Sequence, residues 1–294
     1  MSASGGRAGA HAGGDWLTRA RAAASAPPLR PREPLYLDVD GRTSLVGSIE
    51  PALAGWLLAA GMPLRPMQFA AGDAAAGAVA KVVAGAVDFE IASGTDGWQV
   101  DASTAESLAA IAGWLRDAGL AGRWRNELLA VVDSEERAIA AIERSVVRVL
   151  GLTTYAVHLV GFAFDDRRVW VQQRAFDKAT DPGLWDTLMG GQVAADETIE
   201  TALRRETWEE AGLDVATLLD LRRGEPVTIR RPVAEGYMVE HLDVYTARLP
   251  EGVKPCNQDG EVEKFECLAA AVLEARLARG EFTLEASLIL GRAR

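Results

Sequence analysis

The chain has 294 residues, of which 49% are hydrophobic and 25% are charged, and its formal net charge is −11. This composition is ordinary for a folded globular protein, and at about 150 residues per domain the length predicts two domains. The negative charge excludes a protein that coats nucleic acid or binds an anionic membrane through its surface charge. Small anionic ligands stay open, since a metal ion can bridge them to acidic side chains.

The ends and the cysteines of the chain indicate its compartment. No apolar run approaches the roughly 20 residues that span a bilayer, and "MSASGGRAGAHAGG" lacks the apolar core of a secretory signal. Residues 1–14 are therefore predicted to be a disordered leader. The two cysteines, Cys256 and Cys267, are too few for a disulfide scaffold. We predict a cytoplasmic protein that binds neither nucleic acid nor membrane, and the sequence leaves a homodimer open.

The first half predicts a small α+β domain over residues 15–148. "DWLTRARAAASA" predicts a helix, and "PLYLDVDGRTSLVGSI" predicts a hairpin that turns at Asp40-Gly41. Two more helices are predicted over "PALAGWLLAAG" and "STAESLAAIAGWLRDAGL", followed by a strand over "ELLAVVD". "SEERAIAAIERSVVRVLG" predicts a helix that leads into the second half. The Ala- and Gly-rich stretch from 69 to 101 fits either a helix or a strand.

The second half, residues 149–294, predicts a mixed sheet packed between helices, so the whole chain is assigned to the α/β class, of α+β type. "TTYAVHLVGFAF" and "RRVWVQQRA" predict strands, and "FDKATDPGLWDTLMGG" predicts the loop that precedes an acidic helix. "PVTIRRPVAEGYMVEHLDVYTARL" predicts two further strands that meet near Gly236. "CLAAAVLEARLARGEF" predicts a late helix.

The acidic helix carries an unusual load of charge, with six carboxylates and two arginines between residues 190 and 213. A helix turns about 100° per residue, so Glu206, Glu209 and Glu210 share one face although like charges at this spacing repel. A face with only oxygen ligands suits Mg²⁺ or Mn²⁺ better than zinc. A solvated surface helix with i,i+4 ion pairs is the alternative, but it leaves three acids on one face without a reason.

The spacing around these acids resembles the Nudix box, the signature of hydrolases that act on a nucleoside diphosphate linked to another moiety. The matching positions are Gly191, Glu197, Arg205-Glu206, Glu209-Glu210, Gly212 and Leu213. Thr207 departs from the pattern, which prefers a bulky aliphatic there, and this position is predicted to face the core. The resemblance implies a Nudix fold over roughly residues 150 to 290.

The resemblance also implies roles for individual residues. Glu206, Glu209 and Glu210 are the implied catalytic acids and metal ligands, together with the backbone carbonyl of Gly191. Arg205 is expected to hold Glu209 or a neighbouring acid by a charge-assisted hydrogen bond. Glu197 pairs with Arg205 or caps the helix, and both alternatives are left open. A bound cation would neutralise the crowded acids, activate water and offset the charge of a diphosphate.

Residues outside the box add candidates to the site. The resemblance implies that the acidic segment "NQDGEVEKFECL" contributes one more acid near the metal, with an exposed acidic turn as the alternative. We favour Glu261 over Glu263. Arg174 and Lys178 lie where a bound phosphate could reach them, with ordinary surface charge as the alternative. Trp185 either stacks on an aromatic ring of the substrate or anchors the loop.

Two other classes share this fold and set the alternatives. A ligand sensor would have lost acids of the box, and this chain keeps them. An isomerase would need additional Cys or His catalysts, but neither cysteine is near the box in sequence. His158 and His241 lie in apolar strands and are interpreted as core histidines.

The segments beside the box are similar to one Nudix subfamily with an N-terminal domain of its own, which in some fungi is fused to thiamine pyrophosphokinase. The similarity rests on "GRWRNELLAVVD", "IERSVVRVLGLTTYAVHLVGF", "RAFDKATDPGLWDTLMGG" and "NQDGEVEKFE". It implies removal of phosphate from thiamine diphosphate or from its damaged and oxidised analogues. Gln173 and Met189 depart from the subfamily. ADP-ribose or another nucleoside diphosphate derivative is the alternative substrate, and the N-terminal domain is expected to be either a structural support or a wall of the pocket.

Overall fold

The computed structural model describes residues 12–68, 96–101 and 105–292. Most of the predicted leader and most of the Ala- and Gly-rich stretch lie outside the described residues. The first helix, α1, spans Ala12–Ala23, so it begins within the segment expected to be a leader. Among the described residues, no helix is long and apolar enough to cross a bilayer.

The N-terminal half contains a four-stranded sheet with the order β2-β1-β4-β3 in its described part, covered by two helices. Its hairpin turns at Asp40 and Gly41, both at positive φ, as predicted. Strands β1 and β4 run parallel, and the other neighbours are antiparallel. The elements are β1 (Glu33–Val39), β2 (Arg42–Ile49), α2 (Pro51–Ala59), β3 (Leu64–Met67), β4 (Gly97–Asp101) and α3 (Ala105–Asp117).

The predicted helix over "SEERAIAAIERSVVRVLG" is wrong. Strands β5 (Leu128–Val132) and β6 (Ala138–Glu143) form an antiparallel hairpin there, and a short 3₁₀ turn over Arg144–Val146 follows. The Asp133 carboxylate accepts the backbone N–H groups of Glu135 and Arg137 at 2.9 and 3.0 Å. This side chain stabilises the turn, in which Glu136 has a positive φ of 61°. Pairing with β5 therefore overrides the helical propensity of the segment.

The C-terminal half contains a mixed sheet whose main path, among the described strands, is β11-β13-β7-β8-β14. Strands β7 and β13 run parallel along its centre, and the short β10 joins the other side of β7. The helix α4 carries the acidic box. The elements are β7 (Thr153–Phe162), β8 (Arg168–Arg174), β9 (Trp185–Asp186), β10 (Met189–Gln192), α4 (Ile199–Ala211), β11 (Leu219–Arg223), β12 (Val227–Val233), β13 (Gly236–Arg248), β14 (Val262–Ala269), α5 (Ala270–Ala278) and α6 (Leu284–Leu290).

Apolar side chains pack in three clusters. One fills the N-terminal half around Leu37 and Ile111. The other two belong to the C-terminal half: one includes side chains of α5 and α6, and the other joins α4 to β7. Trp16 of α1 belongs to the cluster with α5 and α6, and its indole N–H donates to Glu274 at 2.9 Å. The first helix therefore packs on the C-terminal half.

Candidate active site

Helix α4 begins at a threonine cap and ends at the last glycine of the box. The Thr198 hydroxyl accepts the backbone N–H of Thr201 at 3.1 Å and caps the N-terminus. Gly212 ends the helix in the left-handed region with a φ of 63°. Thr207 is fully buried, and its hydroxyl has no hydrogen-bond partner among the residues that the structure describes. The position therefore faces the core, as expected, but it presents a polar atom where an aliphatic side chain would fit.

The two glycines before the helix serve different neighbours. A Cβ on Gly191 would lie 1.9 Å from the carboxyl carbon of Glu206, so only glycine lets that carboxylate rest against β10. A Cβ on Gly190 would instead lie 2.5 Å from Cε1 of His158. Gly191 thus fixes the place of a box acid, whereas Gly190 makes room for a histidine that sequence reasoning assigned to the core.

Arg205 organises one side of the box. Its guanidinium donates to both carboxylate oxygens of Glu197 at 2.6 and 2.7 Å, and to Glu209 at 3.0 Å. It also donates to the backbone carbonyl of Gln192 at 3.2 Å and lies 2.8 Å from Glu206. The hydrogen bond from Arg205 lowers the pKa of Glu197. Glu197 therefore pairs with Arg205, and Thr198 takes the capping role that had been left open.

Glu210 is buried and Glu206 is mostly buried, and neighbouring basic side chains compensate their charges only in part. Glu210 is 1% exposed, and it accepts hydrogen bonds from the Gly190 N–H at 3.0 Å and the Gln172 amide at 2.8 Å. Burial, followed by the charge of Glu206, raises the pKa of Glu210 to about 8. Burial also raises the pKa of Glu206 to about 7, although Arg205 opposes this. The basic side chains around these two carboxylates therefore neutralise them only in part.

Lys178 and Glu261 meet at the same place from distant parts of the sequence. The Lys178 ammonium is hydrogen-bonded to Glu261 and lies 3.9 Å from a carboxylate oxygen of Glu210. Burial tends to raise the pKa of Glu261, but the hydrogen bond and charge of Lys178 lower it overall. Arg174 lies 3.5 Å from Asp186 and donates to the carbonyl of Thr180 at 3.0 Å.

These side chains line one cleft. Its walls include five of the residues expected in the site: Arg174, Lys178, Glu206, Glu210 and Glu261, with Gly191 beside them. Glu209 is turned towards Arg205 and its side chain is 42% exposed. Trp185 is 7% exposed and belongs to a core cluster, with the charged groups of Arg276 and Lys264 at 4.9 and 5.2 Å from its ring. The structure thus places Trp185 as an anchor of the loop.

His158 is a buried, hydrogen-bonded histidine, as expected, but it also borders the cleft. It is 5% exposed and lines the cleft. The Thr187 hydroxyl donates its proton to the Met189 carbonyl at 2.8 Å, so the Nδ1–H of His158 must donate to Thr187 at 3.0 Å. Burial lowers the pKa of His158, which keeps the ring neutral and leaves Nε2 as an acceptor. Its only sequence signal was a histidine within an apolar strand, which is typical of a core residue.

The donor set fits a hard divalent cation. Glu206, Glu210 and Gly191 line the same cleft and offer only oxygen atoms, and two of them are carboxylates that the chain leaves poorly neutralised. Among the described residues, no three His, Cys, Asp or Glu side chains are already gathered as a ligand set. The third box acid, Glu209, is paired with Arg205 and does not line the cleft.

The match to known families agrees with the box. Residues 153–286 match the family described as NUDIX domain. An isopentenyl-diphosphate Delta-isomerase of Corynebacterium glutamicum is 33% identical over 150 residues, which cover 48% of this chain and 75% of that protein. The chain belongs to the Nudix family. The fold is therefore the Nudix fold, as predicted, with separate α+β elements before it.

Some relatives are longer proteins. Nudix hydrolase 20, a chloroplastic protein of Arabidopsis thaliana, is 30% identical over 183 residues, covering 57% of this chain and 46% of that protein. The chain thus spans about half the length of such relatives. Among solved structures, DR0079 from Deinococcus radiodurans is 24% identical with a TM-score of 0.47, covering 57% of this chain and all of that one.

Proposed function

We propose that this Nudix protein is a Mg²⁺- or Mn²⁺-dependent pyrophosphohydrolase that cleaves a small-molecule diphosphate to a monophosphate and inorganic phosphate. The observation that carries the proposal is the pairing of two poorly neutralised carboxylates, Glu206 and Glu210, with the cations Arg174 and Lys178 in one cleft. Acids without cations would hold a metal alone, and cations without acids would hold an anion alone. A metal–diphosphate complex needs both.

In this proposal Glu206, Glu210 and the carbonyl of Gly191 would hold the cation, and Glu209 would join them once its side chain turns from Arg205 towards the cleft. A bound cation would neutralise the diphosphate and activate water. Arg205 positions Glu206 and Glu209 through its contacts at 2.8 and 3.0 Å. Arg174 and Lys178 bind phosphate oxygens. Glu261 is the additional acid of the site, held by Lys178. Hydrolysis breaks the P–O–P bridge and adds the elements of water to the two products.

The favoured substrate is thiamine diphosphate or one of its damaged or oxidised analogues. Besides the flanking segments, a second group of acceptors in the cleft supports this choice. Glu240 and Glu285 line it together with the neutral ring of His158. Burial, followed by the charge of Glu240, raises the pKa of Glu285 to about 7. An organic group with a positive charge or with N–H donors suits such surroundings, and thiamine carries both a cationic thiazolium ring and an amino group.

Isomerase activity is the second candidate, because the relatives include isopentenyl-diphosphate Delta-isomerases and His158 lines the cleft. The cysteines do not support it. Cys256 is exposed and Cys267 lines a different surface pocket. A ligand sensor and an ADP-ribose hydrolase are the remaining alternatives.

One assay separates these functions. The protein is incubated with Mg²⁺ and, separately, with thiamine diphosphate, oxythiamine diphosphate, ADP-ribose and isopentenyl diphosphate. Phosphate release and organic products are then measured. We expect phosphate and a monophosphate from the thiamine compounds, with a Glu210→Gln preparation as the control for contaminating phosphatases. A higher kcat/KM for ADP-ribose would overturn the substrate, isomerised isopentenyl diphosphate would overturn the reaction, and no turnover of any compound would favour the sensor.

A further inference from the structure

Three arginines from outside the family match reach the cleft. Arg125, Arg144 and Arg148 line it together with Glu206 and Lys178, yet all three precede residue 153, where the Nudix match begins. We call these three the arginine wall. Since the formal net charge of the chain is −11, these three cations in the lining of one cleft are a local concentration of positive charge.

The arginine wall is firmly attached to the box. The backbone N–H of Ala195, in the loop before α4, donates to the carbonyl of Leu128 in β5 at 2.9 Å. The N–H of Tyr237 in β13 donates to the carbonyl of Arg148 at 2.9 Å. A Cβ on Gly236 would lie 2.4 Å from that carbonyl, so the two backbones are in close contact. The wall therefore holds a defined position relative to the catalytic acids.

Much of the charge of the wall is available to a ligand. Arg144 forms an ion pair with Glu127 at 2.8 Å. Arg125 and Arg148 have no side-chain hydrogen bond or ion pair within the described part of the chain. Arg125 is exposed and Arg148 is half-buried. The charges of Arg125 and Arg144 also act on Glu261 across the cleft and help to lower its pKa. A guanidinium that lines a cleft without a hydrogen bond or ion pair of its own is suited to phosphate, which it binds through two parallel N–H···O contacts.

We propose that the arginine wall binds the terminal phosphoryl group of the substrate, so that the N-terminal half forms part of the substrate site. A terminal phosphoryl group carries about 1.5 to 2 negative charges at neutral pH, whereas each phosphate of an internal diphosphate carries a single charge. The wall therefore selects substrates that end in a diphosphate over those in which the diphosphate joins two organic groups. This inference rests on the proposed function and adds a class of substrate to it.

The test compares Arg125→Gln and Arg148→Gln with Arg123→Gln as the matched control. Arg123 is an exposed arginine two residues from Arg125 and does not line the cleft. We expect each wall variant to lower kcat/KM for thiamine diphosphate by about tenfold, the effect of one charged hydrogen bond. For ADP-ribose we expect a change of less than about threefold, and Arg123→Gln should match the wild type for both. An equal loss for both substrates, or the same loss in Arg123→Gln, would overturn the proposal.

A binding measurement keeps the inference independent of hydrolysis. Calorimetric titration of each variant with inorganic pyrophosphate and Mg²⁺ should show about tenfold weaker binding for the two wall variants. If the protein hydrolyses no diphosphate but the wall variants still lose affinity, the proposed function fails and the anion site stands. If pyrophosphate binds the wall variants as tightly as the wild type, the anion site fails. Arg125 is exposed, so its variant gives a result even if Arg148→Gln does not fold.

Discussion

The carboxylates on the two sides of helix α4 differ in the cations that lie beside them. On one side, Glu209 and the acid just before the helix, Glu197, both accept hydrogen bonds from Arg205. On the other side, Glu210 is 1% exposed and its nearest cation, Lys178, is 3.9 Å away and hydrogen-bonded to Glu261. Glu206 lies between the two sides, since it touches Arg205 but its pKa is still raised to about 7 by burial.

This difference separates structural acids from acids that need a ligand. An acid that an arginine neutralises is satisfied by the fold alone, and the pKa of Glu197 is accordingly lowered. A buried acid without such a partner is costly, and a bound cation is the simplest compensation. Proteins accept local costs of this kind at functional sites. The comparison therefore assigns the main chemical role to Glu210, and next to Glu206, whose burial outweighs its contact with Arg205.

The largest expected effect is that of Glu210→Gln. It removes a charge that no arginine balances, and we expect kcat to fall by at least about 1000-fold, because metal-assisted charge stabilisation contributes several kcal/mol. Glu209→Gln should cost about 10- to 100-fold, since Arg205 already holds that carboxylate. Steady-state kinetics at saturating Mg²⁺ measures both, with circular dichroism as the control for folding. A larger loss for Glu209→Gln would reverse the comparison.

Gly191→Ala tests the contact that places Glu206. The added Cβ would lie 1.9 Å from the carboxyl carbon of Glu206, so the side chain must move, and we expect about 100-fold lower kcat/KM. Gly55→Ala in α2 is the control, because a Cβ there meets no atom within 4 Å. The kcat/KM of both variants, measured at one Mg²⁺ concentration, tests whether this contact is needed for activity. Full activity of Gly191→Ala would show that the position of Glu206 is unimportant.

The stability that Glu206→Gln adds to the metal-free protein, relative to the wild type, should depend on pH. Burial raises the pKa of Glu206 from 4.5 to about 7. Below pH 4.5 the group is protonated in the folded and unfolded states and costs nothing. As the pH rises towards 7, only the unfolded chain ionises freely, so the wild type loses stability. We expect the variant to gain a few degrees in Tm relative to the wild type between pH 5 and pH 8 in EDTA. A difference in Tm that is constant across this range would contradict the assigned burial.

Thr207→Val is expected to have the smallest effect and a stabilising one. It replaces a fully buried hydroxyl without a hydrogen-bond partner by a methyl group of similar shape. Removing such a group contributes about 1 kcal/mol, which corresponds to a rise in Tm of about 2 °C. Thermal unfolding measures the shift, with kcat as the control for an intact site. A lower Tm would mean that the hydroxyl finds a partner in solution.

The box and its immediate fold follow from the sequence. The spacing of Gly191, Arg205, Glu206 and Glu210 within 20 residues determines which side chains share a helix face and which glycine lies against them, because a helix has a fixed rise and twist. The strands on both sides of the box were also predictable, since alternating apolar residues repeat with the period of a sheet. The hairpin β5–β6 was not, because pairing between strands outweighed the helical propensity of Glu and Ala.

The other members of the site depend on tertiary structure. Lys178 and Glu261 are 83 residues apart in sequence, and only the sheet brings them together. Trp185 is placed in the core by the packing of its ring, which no local pattern distinguishes from a stacking platform. The arginine wall also could not be predicted from the sequence, because the local sequence around an arginine does not show which cleft its side chain lines. Local spacing determined which acids of the box come together, whereas long-range packing decided which cations face them, since contacts between distant segments are set by the fold as a whole.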